Sequence, residues 1–338
     1  MHRINRIIVF IAVSICAALP FTAKDSFAAE SIHMSHLEIL GAYSDIKNGG
    51  TDFGHEASAF WAPVIKLSDT YAIIPLIDVH LNRVEQYLPE EEGNRFFSTY
   101  FTTNVSLAAR KEFTPGWFLK ASLLGTGVLM KETSEDRWGK GLYDYTDMGA
   151  ALELEHEIVC ERSKTTMAAG FEIYRRRYPN FQTLISETSV TPPEVDEKDY
   201  EGYKYRLRFG QIFASGFRWY ANPYYLDKYF LDKHLVNDDG TLDLSSDRKD
   251  YEISLDFGAS QVLPFFKRLK FSLDNNLTRN RSNIGFYDSR TTLILSDDRF
   301  TPDYYAYDSG EVAPSLEYAY PFSDEKVFRL KLGFSYLY

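Results

Sequence analysis

The feature that most constrains this chain is strict alternation of apolar and polar residues over long stretches. That is the period of a β-strand with one face in an apolar medium and the other in a polar one. Tyr71, Ile73, Pro75, Ile77, Val79 and Leu81 form one such ladder. Others are Met148, Ala150, Leu152, Leu154, His156, Ile158 and Cys160; Tyr203, Tyr205, Leu207 and Phe209; Tyr251, Ile253, Leu255, Phe257 and Ala259; and Leu269, Phe271 and Leu273. Charged residues interleave them: Glu153, Glu155 and Glu157, then Lys204, Arg206 and Arg208, then Asp250, Glu252 and Asp256. A soluble sandwich also alternates, but its strands run about 5 or 6 residues. The spans here read as roughly 12 to 16 residues, with apolar faces ending in Tyr, Phe and Trp like the girdles of a membrane barrel.

Composition narrows the class. The 338 residues include 24 Tyr, 25 Phe and 4 Trp, 16% aromatic in all. No apolar run reaches the roughly 18 residues of a helical membrane span. With 37 Lys+Arg against 48 Asp+Glu, the net charge is -11, which argues against nucleic acid as a partner, because phosphate binding needs a concentrated basic patch. Residues 1–28 have the form of a secretory signal: Arg3 and Arg6, an apolar stretch from Ile7 to Leu19, then Ser26-Phe27-Ala28 as the cleavage site. Residues 29–338 form the barrel domain. Its lone cysteine, Cys160, has no intramolecular disulfide partner.

Short connections (68–69, 114–116, 161–164, 263–267) alternate with long polar ones (84–97, 131–142, 178–200, 222–249), as in outer-membrane barrels with short periplasmic turns. The expectation is an all-β, antiparallel transmembrane barrel of about 14 strands, with 12 as the alternative. Strand starts fall near residues 32, 53, 70, 97, 117, 143, 165, 201, 216, 249, 268, 289, 303 and 327. An even count with both termini at the short-turn end requires 291–296 to be a strand. Asn222 as N-cap, Pro223 in the first turn, and Leu226, Tyr229, Phe230 and His234 on one face predict a helix over 223–237, on the rim or folded into the lumen.

Phe328, Leu330, Leu332, Phe334, Tyr336 and Tyr338 alternate to the last residue. This strand resembles the C-terminal recognition strand of bacterial outer-membrane proteins. The resemblance implies that Phe334, Tyr336 and Tyr338 form an assembly signal, that the barrel assembly machinery is a partner, and that outer-membrane lipid and lipopolysaccharide surround the chain. A closing turn centred on Ser323 puts Glu317 opposite Arg329 and Ser315 opposite Lys331, all facing the lumen. The segment Leu277-Thr278-Arg279-Asn280-Arg281-Ser282-Asn283-Ile284-Gly285-Phe286-Tyr287-Asp288 resembles a stretch near the end of the barrel domain of surface lipoprotein assembly modifiers. That resemblance implies a 14-strand outer-membrane barrel that moves material across or onto the cell surface.

No residues suggest catalysis, a metal or a cofactor. His33 and His36 fall on opposite faces of a strand, and His156 lies in the lipid-facing phase. Ser282-Asn283 resembles part of the active site of outer-membrane phospholipases, but no histidine precedes the serine to serve as its base. The expected function is a channel or export conduit in a Gram-negative outer membrane. In the lumen the glutamate and cation rows either bridge or polarise a pore. The alternative is a structural or surface-interaction barrel whose acidic loop (Glu187, Glu194, Asp196, Glu197, Asp199, Glu201) binds an unidentified periplasmic or surface partner. Replacing the terminal aromatic, Tyr338→Ser, should lower the yield of assembled barrel without changing the pore properties of molecules that insert. A normal yield of heat-modifiable barrel on gels would remove the assembly role of this strand.

Overall fold

The structure, a computed structural model, describes residues 6–16, 30–46, 50–87, 95–131, 136–181, 198–266, 268–288, 299–323 and 326–337. Sixteen strands occur among them: β1 Arg6–Cys16, β2 Glu30–Ile46, β3 Gly50–Ser68, β4 Tyr71–Tyr87, β5 Arg95–Thr114, β6 Trp117–Lys131, β7 Tyr145–Cys160 and β8 Ser163–Arg177 in the first half. The second half holds β9 Tyr200–Phe213, β10 Arg218–Val236, β11 Leu242–Val262, β12 Leu269–Ser282, β13 Phe286–Asp288, β14 Arg299–Thr301, β15 Tyr307–Ser323 and β16 Lys326–Leu337. Fourteen close into one antiparallel barrel in the order β1-β16-β15-β12-β11-β10-β9-β8-β7-β6-β5-β4-β3-β2, while β13 and β14 pair apart as a small hairpin. Strands of 14 to 21 residues, such as β9 and β11, exceed the roughly 9 to 11 that cross a bilayer, so the wall extends beyond the hydrocarbon.

The alternation becomes two faces. Leu123, Met148, Leu152, Tyr205, Leu207 and Ile253 are exposed on the outside at 44 to 75%. A row of rings runs around this outer face. Phe171 and Tyr205 have centroids 5.0 Å apart, Tyr205 and Tyr225 6.3 Å, and Tyr225 and Tyr251 6.4 Å. A wet exterior would not hold this much exposed apolar surface. A bilayer with its interfacial aromatics would.

Several sequence expectations are corrected. Residues 223–237 are not a helix. As far as Val236 they belong to β10, which pairs with β9 and β11. Asn222 faces Asp256, Pro223 faces Leu255 and Lys228 faces Asp250. The ladder to β9 omits Asn222 and Pro223 and resumes at Tyr224 in unchanged register, so the missing proline N–H interrupts the ladder without ending the strand. The supposed long loop 222–249 is therefore a hairpin with a tight turn at 237–241. There Gly240 takes φ +81, and a Cβ on it would fall 2.7 Å from the ring of Tyr287 in β13.

The segment 291–296 lies outside the described residues. The fourteenth barrel strand is instead β1, from the segment with the composition of a leader. Because β1 runs antiparallel to both neighbours and Arg6 faces both Leu337 and Ile46, the two ends of the barrel strands lie at the long-loop end, contrary to the short-turn expectation. The closing register also differs. Glu317 faces Lys331, Ser315 faces Gly333 and Ala319 faces Arg329. The turn is centred beyond Ser323, with an irregularity between Pro321 and Ser323. The two-residue shift keeps every residue on its face, as period two requires. In the ladder to β3, His33 pairs with Pro63 and His36 with Phe60.

Cysteines at 317 and 331 should therefore crosslink efficiently in the assembled barrel, and cysteines at 317 and 329 should not. Preferential bridging of 317 to 329 would contradict this register.

Candidate functional site

The inner wall between β5 and β9 carries a connected set of charges. Register sets Glu153 beside Gly170 and Gly170 beside Arg206; the next row is Glu155, Ala168 and Arg208. The small residues on β8 leave room for the arginines of β9 to lie across it. A Cβ on Gly170 would sit 3.0 Å from Arg206 Nε and 3.2 Å from its Cγ. Arg208 Nη2 reaches Glu153 at 2.8 Å and Glu155 at 2.9 Å, and Arg206 Nη2 lies 3.3 Å from Glu153. From the other side Arg110 of β5 crosses β6 over the ring of Phe118, 3.5 Å from its centroid. It meets Glu155 at 2.8 Å and Glu157 at 3.5 Å, and Lys164 meets Glu157 at 2.8 Å. The Glu153 side chain is only 3% exposed, and a carboxylate so enclosed needs these partners to offset its lost hydration.

The other candidate residues stand elsewhere on the wall. Lys204 lies over the ring of Tyr224, 4.0 Å from its centroid, outside the glutamate network. Glu252 accepts from Lys228 at 2.8 Å and from the Tyr224 hydroxyl at 2.6 Å. Asp250 takes two bonds from Arg248, 2.9 and 2.6 Å, and one from the Ser282 hydroxyl. Asp256 accepts from the Asn276 amide. Glu317 faces Lys331 in the ladder, and Phe334 and Tyr336 lie in β16; Tyr338 is outside the described residues. His156 stacks on Trp117 at 4.1 Å and contacts the Gly116 carbonyl at 3.1 Å, a turn-fastening role. In the acidic loop only Asp199 and Glu201 are described. Asp199 accepts from the Tyr178 N–H and Glu201 from the Tyr203 hydroxyl.

Sequence reading missed three parts of the wall: Arg110, the Arg176–Asp147 pair and the cationic mouth. Arg110 shares the inward phase of Asn104, Ser106 and Ala108, and that phase was the available signal. Arg176 binds Asp147 through two bonds of 2.8 and 2.7 Å and lies 3.8 Å over Tyr145.

A chamber of 570 Å³ opens at the long-loop end. Arg176, Lys198, Lys228 and Arg248 line it together with Tyr200 and Phe230. Lys198 sits over Tyr143 and Phe181, 4.2 and 4.6 Å from their centroids. Burial pushes its ammonium below the ordinary lysine value, and the nearby charge of Arg248 pushes the same way. Arg248 lies between Phe230 and Tyr305, 4.3 and 4.1 Å from the two rings. Two further cavities, of 410 and 380 Å³, lie along the inner wall. The smaller is lined by Asn104, Thr126, Asp147, Glu172 and Lys204.

No protein-family model and no curated protein matches the sequence. Among solved structures the chain is similar to the copper transporter OprC, at TM-score 0.40 and 11% identity over 96% of this chain and 52% of that one. It is similar to CdiB from Acinetobacter baumannii at TM-score 0.41 and 9% identity, over 97% and 60%. It is also similar to an outer membrane channel from Pseudomonas putida F1, at TM-score 0.37 and 12% identity, over 100% and 97%. The chain spans about half to three-fifths of the length of the first two.

If the arginines of β9 depend on the gap above β8, Gly170→Val should displace Arg206 and weaken its bridge to Glu153. The expected loss is on the order of 1–3 kcal/mol in unfolding free energy, read from urea unfolding in lipid. Thr166→Val, on the same strand away from the crossing arginines, should cost far less. Equal effects of the two changes would contradict the crossing geometry.

Proposed function

We propose that the protein is a channel of the Gram-negative outer membrane that passes small polar solutes through the barrel. The barrel assembly machinery inserts it, with lipid and lipopolysaccharide around the outer face.

The observation that carries this reading is how the inner charges pair. The ion pairs of the glutamate-rich wall and its neighbours join side chains on strands at most two positions apart, such as Arg208 of β9 with Glu153 of β7 and Lys228 of β10 with Glu252 of β11. The facing wall of a 14-strand barrel is seven positions away. Charges that hug the wall satisfy one another without spanning the lumen, which supports a water-filled interior over one sealed by salt bridges. The segment 277–288, similar to surface lipoprotein assembly modifiers, ends β12 and continues into β13 at the rim. It extends the proposal to export conduits, with the rim as the place where cargo would be handled.

Reconstitution into planar bilayers tests the reading. The full chain should give discrete ohmic steps, and the double variant Glu155→Gln, Glu157→Gln should keep them while shifting the reversal potential in a KCl gradient toward chloride. A correctly assembled barrel that passes no current would overturn the channel reading and leave the surface-interaction barrel in its place.

A further inference from the structure

We infer that the mouth chamber is a binding site for an organic anion built on a flat ring that also carries a hydroxyl group, the class represented by 4-hydroxybenzoate. As a selectivity site it rests on the channel reading above, whereas as a binding site it stands on its own geometry. Three features define the ligand.

The first is charge. Among the described residues Arg176, Lys198, Lys228 and Arg248 line the chamber, and the carboxylate lining it is that of Asp250. The acids that pair with Arg176 and Lys228, namely Asp147 and Glu252, do not line it. In a chain with 48 acidic and 37 basic residues, this local excess of positive charge does not follow from composition. Lys198 makes no ion pair among the described residues, and its ammonium and the guanidinium of Arg248 disfavour one another. A carboxylate placed between them relieves that repulsion and gains a charge-assisted bond.

The second is shape. Phe181, Tyr200, Phe230 and Tyr305 present ring surface around these cations. Arg248 is already layered with two of them. A flat ring packs on such a surface by the same stacking, whereas a small inorganic anion would leave it in contact with water.

The third is a single acceptor. Asn280 lines the chamber and is 3% exposed. Its Nδ2 donates to the Tyr305 carbonyl at 2.9 Å, while its Oδ1 is buried with no hydrogen-bond partner. Buried acceptors are nearly always satisfied, so this one calls for a donor from the occupant. A ligand hydroxyl supplies it. Benzoate, with the same charge and ring, has no such donor.

Isothermal titration of the full chain in detergent with 4-hydroxybenzoate, benzoate and phenol tests the site. The expected order has 4-hydroxybenzoate binding roughly tenfold tighter than benzoate, and phenol weakest. Lys198→Met, at the rim, should weaken both carboxylates roughly tenfold and leave phenol unchanged. Asn280→Leu should erase the preference for 4-hydroxybenzoate over benzoate. Should Asn280→Leu fail to assemble, the Lys198 variant and the wild-type preference decide the matter. Equal binding of the two carboxylates, no effect of Lys198→Met, or no heat at all would each overturn the inference. Bilayer steps without ligand binding would reject the chamber and keep the channel; binding without steps would keep the chamber and reject the channel.

Discussion

A backbone inside hydrocarbon has no water to satisfy its N–H and C=O groups, so a sheet that crosses a membrane must close on itself. Closure is the constraint on which the rest of this structure depends. Fourteen strands pair around the ring, and β1 completes it between β16 and β2. Once the ring is closed, every residue belongs to one of two faces. The outer face meets lipid with Leu, Ile and a row of tyrosines, and the charged rows of β7 and β9 fall inward.

The inward charges then face their own problem, because a carboxylate such as Glu153 loses water when it is walled in. The chain answers it laterally. Small residues on β8 let the arginines of β9 lie flat across their neighbour, and Arg110 does the same over Phe118. Toward the long-loop end the balance changes. Cations there lie against aromatic rings, and Arg176 and Lys228 pair with acids of the adjacent strands, so the mouth differs in character from the glutamate-rich wall below it.

Much of this was legible because period two survives every local irregularity. The strands through Met148, Tyr203, Tyr251 and Phe271 stand where their ladders put them, with charges on the opposite face. Three elements were not legible, each for a physical reason. In β10, aromatics occur on both faces near the rim (Tyr224, Tyr225, Tyr229, Phe230), so a helical spacing matched by accident, and Asn222-Pro223 imitated a helix start. β1 has no alternation to read, since RIIVFIAVSIC is apolar almost throughout and matches a leader equally well. The register of the closing hairpin hung on the position of a turn, and period two cannot distinguish a shift of two residues. The chamber was invisible to sequence because its lining comes from β8, β9, β10, β11, β12, β15 and two loops, which only the pairing of these strands in one curved wall brings together.

The central claim is a closed membrane barrel with an aqueous interior. A nitroxide scan along β7, one label at each position from 148 to 158 in lipid, tests it most directly. Accessibility to oxygen should peak at 148, 150, 152 and 154, and accessibility to a water-soluble nickel chelate at the positions between, with a period of two. Accessibility that is uniform, or that repeats with the period of a helix, would contradict the account.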